Sequence, residues 1–536
     1  MYLMEVGIDF GTTYSTLCFS PGKGIDGCVV ESDTIFIPTV VGYRKDSTHT
    51  IGLGALLEKD LVVYRDIKRY FGLNKFNKDV YLSKLKPSIE VLIDDWGCSI
   101  GPVDGTKGKT KSVLTLASDF ITGLVQLAIK MTNQQVSVSV CSVPAAYNSY
   151  QRSFIFESCK LSSINVQAVV NEPTAAGLSA FITTPKASVN YLLVYDFGGG
   201  TFDSSLLVVG PAYVGVLDSM GDNYLGGRDV DNRLLEVCAE RLNVEKKELD
   251  QFSMEALKID IVDNPGKIVR RVMLKSGNVK SIQLTFQDFS AICRPFVERA
   301  RQVVLSLLAG RRLTNCAAVL IGGSSVLPGV LDSVASLPMI TKVIFDRKTY
   351  RAAVALGGAL YAQTFSGSSR YRLIDSISGS LSDEFKNLKA VCIFPKGHPI
   401  PSTVESRFTM PSADTGVVLM QGESSMANMN EMTFSGSVKI STYPPKSVVR
   451  QKTKIFEDGR VEIYLNDIKI ENSVKPRIPN KTELSPKFVS SDDVRIGPEV
   501  AEIKSFYSKL LGETGLSTLG KQQRKIIYNK HGFESD

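Results

Sequence analysis

An α/β fold of two similar lobes, followed by a small all-β unit, is predicted by three observations. Two glycine-threonine hairpins recur in the same residue order within the first ~365 residues. Strand and helix patterns alternate throughout that stretch, which marks the α/β class. Beyond Ser366-Gly367-Ser368-Ser369 the chain turns to short β runs separated by Pro, Gly, Asn and Asp.

The first hairpin occupies residues 4–20. Val6, Ile8 and Phe10 alternate, Gly11-Thr12-Thr13 breaks the run, and apolar residues resume through Leu17 and Phe19. This is strand, turn, strand, not the strand-to-helix step of a Rossmann unit. The second hairpin lies at 191–208: Tyr191 to Tyr195, then Asp196-Phe197-Gly198-Gly199-Gly200-Thr201, then Ser204 to Val209. The order aspartate, glycine, threonine repeats, so two similar lobes should face each other. Helical spacing appears at 115–132, 229–243 and 284–308. These boundaries give one unit at 1–365, a linker at 366–372 and a β-rich unit at 373–475. Within the last, Ala390 to Phe394, Gly416 to Met420 and Val461 to Leu465 read as strands, and Asp458-Gly459 as a hairpin turn. Residues 476–536 form an extension broken by Pro476, Pro479, Pro486 and Pro498. One helix is expected at 499–511 and a basic, mobile end over Lys521 to Lys530.

Composition narrows the function. The 536 residues are 43% hydrophobic and 22% charged, as in an ordinary globular protein. Sixty-two basic against 55 acidic residues leave +7, a mild excess over this length that does not argue for nucleic acid. Nine cysteines without a CxxC pair predict reduced thiols in a cytosolic compartment. Three histidines, His49, His398 and His531, make a zinc site or a histidine-based triad a poor fit. The opening residues predict no signal peptide. No run is expected to reach the ~18 apolar residues of a membrane span, so any membrane role would be peripheral.

The paired turns carry the chemistry. A tight glycine-threonine turn aims backbone N–H groups and hydroxyls at a polyphosphate. Asp9 and Asp196 are placed to bind Mg²⁺ through its water shell. Either turn alone would pass for an ordinary hairpin; the pair, with GGGT in the second, predicts a phosphate clamp.

Six motifs follow in order: GIDFGTTYS at 7–15, VPAAYNSYQR at 143–152, VVNEPTAAGL at 169–178, YDFGGGTFD at 195–203, GDNYLGGRDVDNR at 221–233 and IGGSSVLP at 321–328. They resemble the signatures of the 70-kDa heat-shock chaperone family, within the actin and sugar-kinase superfamily. The resemblance implies a two-lobed actin-like ATPase domain with ATP or ADP and Mg²⁺ in the cleft. It places Gly11, Thr12, Thr13 and Tyr14 in the first phosphate loop and Gly198, Gly199, Gly200 and Thr201 in the second. Gly226, Gly227, Gly322, Gly323 and Ser324 belong to further nucleotide-contacting turns, and Glu255 and Lys258 to the nucleoside end. Asp9, Glu172 and Asp196 fall around the metal and its waters, and Asp203 is acidic in the same cleft. Lys68, which alone would read as a surface lysine, matches the residue that holds the attacking water. The catalytic set implied is Lys68, Glu172, Asp196, Thr201 and Asp203. Pro144 and Arg152 match a pair that relays nucleotide state onward.

The nucleoside end departs from the pattern. The arginine that stacks on adenine is here Ile259, the arginine after the GGS turn is Val326, and an aspartate near the last strand-helix junction is Arg351. Losing a cation–π stack weakens base binding by roughly 1 kcal/mol. The second half departs further. Arg372-Leu373-Ile374-Asp375 stands near the usual leucine-rich linker, and a long helical lid is not expected.

This combination resembles a narrower group, the heat-shock-70 homologues of closteroviruses. Membership implies a virion component that assembles the tail of a filamentous particle and supports movement through plasmodesmata. The partners implied are the minor and major coat proteins and a viral protein of about 60 kDa, with host cytoskeletal or plasmodesmal components besides. The places implied are the host cytoplasm, plasmodesmata and virion tail. RNA contact would be indirect or weak, since the basic end lacks aromatic interleaving beyond Tyr528. Two other readings stay open: a structural virion subunit with little turnover, and a general ATP-dependent folding chaperone.

Overall fold

The computed structural model describes residues 3–490, apart from short stretches at 21–26, 30, 32–33, 59, 184–188, 250, 347–349, 370, 386–387 and 481. The helix expected at 499–511 and the basic end lie outside the described residues.

The first lobe is built on a five-stranded sheet in the order Val166–Asn171, Gln135–Val143, Leu3–Asp9, Tyr14–Ser20, Ile37–Pro38. Leu3–Asp9 pairs antiparallel with Tyr14–Ser20 and parallel with Gln135–Val143. The predicted alternation is real: Met4, Val6, Ile8 and Phe10 all point into the core. Val113–Thr132 supplies the main covering helix, begun by Ser112, whose side chain accepts from the Leu114 N–H. This helix is long and apolar enough to cross a membrane, contrary to the expectation that no such run exists. Its apolar residues are instead buried in the lobe, with Leu116, Phe120, Ile121 and Leu124 fully enclosed.

The second lobe repeats the plan on a seven-stranded sheet: Ile340–Ile344, Cys316–Ile321, Tyr191–Phe197, Phe202–Val209, Tyr213–Asp222, Arg372–Ser376, Pro399–Ile400. Helix Phe286–Leu308 packs against its strands Phe202–Val209 and Tyr213–Asp222; helix Gly227–Leu242 packs on that helix, and Gln251–Asp263 on Gly227–Leu242. The lobes meet where helix Glu172–Thr183 crosses helix Ala353–Phe365. A Cβ on Gly357 would collide with the Ala175 carbonyl oxygen, so the crossing needs glycine there.

Arg372–Ser376 is not a free connector. It adds to the edge of the second lobe's sheet, pairing parallel with Tyr213–Asp222. Beyond it two four-stranded antiparallel sheets enclose a separate core that includes Leu381, Phe394, Leu419, Phe434 and Ile463. The Asp458-Gly459 turn joins strands Val448–Ile455 and Val461–Leu465, with Gly459 at φ 76°.

After this sandwich the chain returns to the first lobe. Val474 is buried in that lobe's core. The His49 N–H donates to the Lys487 carbonyl at 3.0 Å, and the Val489 N–H donates to the His49 carbonyl at 2.9 Å. Residues 485–489 thus lie along a sheet edge like an added strand. The Ser485 N–H donates to the Asp119 carboxylate at 3.2 Å, and Phe488 packs on the His49 ring. Asp119 also accepts from the Tyr43 hydroxyl at 2.6 Å.

The cysteines correct one expectation. Cys18 and Cys28 are joined sulfur to sulfur, while the other seven are free. The reason is topological: residue 28 folds back against the strand that carries Cys18. Pairs made by a loop turning onto a strand carry no CxxC spacing.

Candidate functional site

A cavity of about 310 Å³ opens between the lobes. One end is made of turns and carboxylates, the other of apolar, aromatic and charged side chains.

At the first end the two hairpin turns face each other across the cleft. A Cβ on Gly200 would stand 2.6 Å from the Thr12 hydroxyl oxygen, and one on Gly199 would collide with that of Thr13. Only glycine lets the backbones approach this closely. Gly226 and Gly227 do not line the cavity; they support the second turn from behind. The Gly227 N–H donates to the Gly198 carbonyl at 3.0 Å and the Arg228 N–H to that of Gly199 at 2.7 Å. The Ser324 hydroxyl donates to the Gly198 carbonyl at 2.8 Å. Gly322 and Gly323 border the same turn and, with Ser324, line the cavity.

Around these turns stand Asp9, Glu172, Asp196, Asp203 and Lys68, Asp9 half-buried and the others buried. Lys68 lies on the short 3₁₀ turn Ile67–Tyr70, and its Nζ donates to Glu172 Oε1 at 2.5 Å. Glu172 opens helix Glu172–Thr183, where the helix N-terminus favours a negative charge. Asp9 ends its strand. Burial, reinforced by Glu172, pushes its carboxyl up to about 7 despite nearby Lys68. Burial and the charges of Glu172, Asp203 and Asp9 raise Asp196 well above the ordinary carboxylate range. Asp203 is lifted to about 7 by burial and Glu172. Its Oδ1 accepts from the Ala146 N–H at 3.2 Å, while Oδ2 is buried with no partner among the described residues. Thr201 sits at the base of the second turn and hydrogen-bonds Asp203.

This is a site short of positive charge. Full ionisation would leave four carboxylates against one ammonium, and burial makes that costly. The unpartnered Asp203 oxygen and the raised Asp9 and Asp196 suit a divalent cation arriving with a polyphosphate. Among the described residues no three acidic, histidine or cysteine side chains converge into a metal cage. The donor set therefore fits an ion that keeps water and phosphate oxygens as most of its ligands.

At the second end Glu255, Lys258 and Ile259 come from helix Gln251–Asp263. Lys258 is turned back to Asp231 at 2.8 Å, and the buried Tyr14 hydroxyl hydrogen-bonds Glu255. Val326, Leu327, Tyr350, Arg351 and Phe36 complete the wall. The Arg351 guanidinium stacks 3.9 Å from the Phe36 ring centre and 4.9 Å from that of Tyr14. Phe36 was not anticipated from the sequence. The apolar run Ile35-Phe36-Ile37-Pro38 is the signal that could have pointed to it.

The turn before helix Ser149–Leu161 links this cleft to the sandwich. Arg152 is buried and donates to the Val169 carbonyl at 3.2 Å and to the Asn171 side chain. Asn171 donates through its N–H (2.9 Å) and Nδ2 (2.7 Å) to Asp375. Pro144 shapes the turn whose carbonyl accepts from the Tyr147 N–H at 3.1 Å. Two contacts were not foreseen. Gln421 accepts from the Ser149 N–H at 2.9 Å, and Glu431 accepts from the Asn148 side chain that caps the helix. No local pattern signals them, because both partners are ordinary polar residues some 270 positions away.

Comparison with known proteins gives this geometry a family. A family model described as Hsp70 protein matches residues 5–491. The movement protein Hsp70h of Grapevine leafroll-associated virus 3 (isolate United States/NY1) is 37% identical over 478 residues, covering 88% of this chain and 86% of that protein. The movement protein Hsp70h of Beet yellows virus (isolate Ukraine) is 32% identical, covering 81% and 76%. The chloroplastic heat shock 70 kDa protein 7 of Arabidopsis thaliana is 28% identical over 82% of this chain and 63% of its own length. With a match over nearly its whole length and a two-lobed actin-like fold joined to a β-sandwich, the chain belongs to the Hsp70 family.

Proposed function

We propose that this chain is a viral chaperone-like ATPase that acts in movement between host cells and in assembly of a filamentous virion. The observation that carries the ATPase part is the pair of glycine turns facing each other beside the Lys68–Glu172 ion pair. The names of the viral relatives, movement proteins, support the movement part.

In this reading Thr12, Thr13, Gly199 and Gly200 hold the phosphates of ATP or ADP by backbone N–H groups and hydroxyls. Asp9 and Asp196 would hold Mg²⁺ through its water shell, and the ion would supply charge to offset the phosphates. Lys68, aimed by Glu172, positions the attacking water and stabilises charge developing on the terminal phosphoryl group. Thr201 keeps Asp203 in place, and Asp203 accepts a proton from that water as the phosphorus–oxygen bond to the leaving diphosphate breaks. Lobe closure reaches the sandwich through Arg152, Asn171 and Asp375. The sandwich docks viral partners, the minor and major coat proteins and a viral protein of about 60 kDa, at the virion tail and plasmodesmata.

The test is Mg²⁺-dependent ATP hydrolysis by the full chain beside Lys68→Ala and Asp196→Ala, with nucleotide binding measured in parallel. Slow turnover lost in both variants supports the reading. Binding without turnover leaves nucleotide as a structural ligand. No binding sinks the ATPase reading and leaves a particle subunit with an inherited fold.

A further inference from the structure

The base end of the cavity holds a cation whose donors are not spent inside the protein. Arg351 makes no hydrogen bond or ion pair with another described residue. Its guanidinium carbon stands 3.9 Å from the ring centre of Phe36 and 4.9 Å from that of Tyr14, and the residue lines the cavity. Aromatic stacking fixes the plane of the group but leaves its N–H donors, which lie in that plane, unused. The same wall carries Ile259, Val326 and Leu327, whose side chains have no hydrogen-bonding atoms, and also the polar Glu255, Asp263 and Tyr350. Arg351 therefore presents side-chain donors and no acceptor to whatever base reaches this end.

The geometry points to Arg351 as the residue that sets base selectivity, favouring a purine edge with paired acceptors, as in guanine, over the mixed edge of adenine. This rests on the cavity being a nucleotide site. Guanine offers O6 and N7 as adjacent acceptors, the arrangement a guanidinium meets with two parallel bonds. Adenine offers N7 beside an N6 amino group, whose hydrogens oppose the same donors. Phe36 and Tyr14 act as positioning residues for Arg351, because their rings hold its guanidinium at this end of the cavity. The chain should thus accept GTP at least as readily as ATP.

Competition against a fluorescent ADP analogue tests this on the full chain, using ATP, GTP and ITP. Inosine keeps O6 and N7 but lacks the 2-amino group, so it isolates the contact assigned to Arg351. The expected result is GTP and ITP binding no weaker than ATP. Arg351→Met should lose about tenfold for GTP and ITP relative to ATP, the size of one bidentate contact. Arg351→Lys, which keeps the charge and loses the planar fork, should fall between, with circular dichroism checking that each variant is folded. A wild-type preference for ATP with the base ratio unmoved in both variants overturns the assignment while leaving the nucleotide site standing. Failure of all three nucleotides to bind overturns both.

Discussion

The two ends of one cavity are built differently. At the phosphate end the contacts come from backbone turns and from an ion pair locked between a 3₁₀ turn and a helix start. At the base end they come from side chains: Ile259, Val326, Phe36, Tyr14 and Arg351. A backbone cradle depends on glycines that cannot be exchanged without collision, as at Gly199 and Gly200. A side-chain wall can change one residue at a time and still enclose the same volume. On the proposed reading, chemistry common to all nucleoside triphosphates would be held by the part least free to vary, and base selectivity by the part most free.

The largest effect should follow from breaking the phosphate end. Lys68→Ala removes the lysine that pairs with Glu172 in the acidic cluster and should lower the single-turnover rate about 10²- to 10³-fold, the scale of losing one preorganised charge stabiliser. Nucleotide affinity should change far less, which separates chemistry from binding. Equal losses in both would mean that Lys68 only holds the ground state.

A change outside both ends calibrates the comparison. Asp119→Ala leaves the Tyr43 hydroxyl and the Ser485 N–H without their buried acceptor. The expected cost is about 1–3 kcal/mol, seen as a lower Tm and faster proteolysis near residue 485. Base selectivity and hydrolysis should stay as they are; a change in either would tie the returning segment to the cleft.

Protonation distinguishes the ends again. Asp9 and Asp203 titrate at about 7 in the folded chain, against an ordinary 3.8. Between those values the folded state keeps protons that the unfolded state has released. Without nucleotide, stability should therefore fall as pH rises from about 4 to 7. Mg²⁺ with ADP favours the ionised carboxylates, so the rise in Tm it causes should be greater at pH 8 than at pH 6. Asp203→Asn should flatten the ligand-free slope. A slope unchanged in that variant would show that Asp203 is ionised throughout.

The smallest effect belongs to the support behind Arg351. Phe36→Leu removes a ring but keeps an apolar side chain, and should cost about 0.5–1 kcal/mol of the stack. The GTP-to-ATP binding ratio should drop a few-fold, with hydrolysis per bound nucleotide unaltered.

How much of this was legible in the residues follows the same division. The hairpins at 4–20 and 191–208, and the helices near 115–132, 229–243 and 284–308, are spelled by periodicity and turn residues that lie next to one another. The catalytic candidates came from ordered motifs, and seventeen of the twenty residues named for the site line the one cavity, Gly226, Gly227 and Asp203 standing just behind it. Arg351 stood out only as a departure from a pattern. Its meaning needed Phe36, which lies 315 positions away. The 366–372 segment read as a linker because Ser and Gly are loop formers. Nothing local says that Arg372–Ser376 finds an open sheet edge beside Tyr213–Asp222.

The sequence by itself determined the lobes and the two glycine turns with Asp9 and Asp196 beside them, because these are written in short-range spacing and backbone preference; Glu172 and Asp203 were placed in the cleft only by the family resemblance. Only the tertiary structure decided which carboxylate faces Lys68, where residues 485–489 attach, that Gln421 and Glu431 reach the start of helix Ser149–Leu161, and that Arg351 lies on two aromatic rings. These are pairings between distant segments. They are selected by the packing of whole elements and by the cost of leaving a buried polar group without a partner, and neither is visible until the chain is closed on itself.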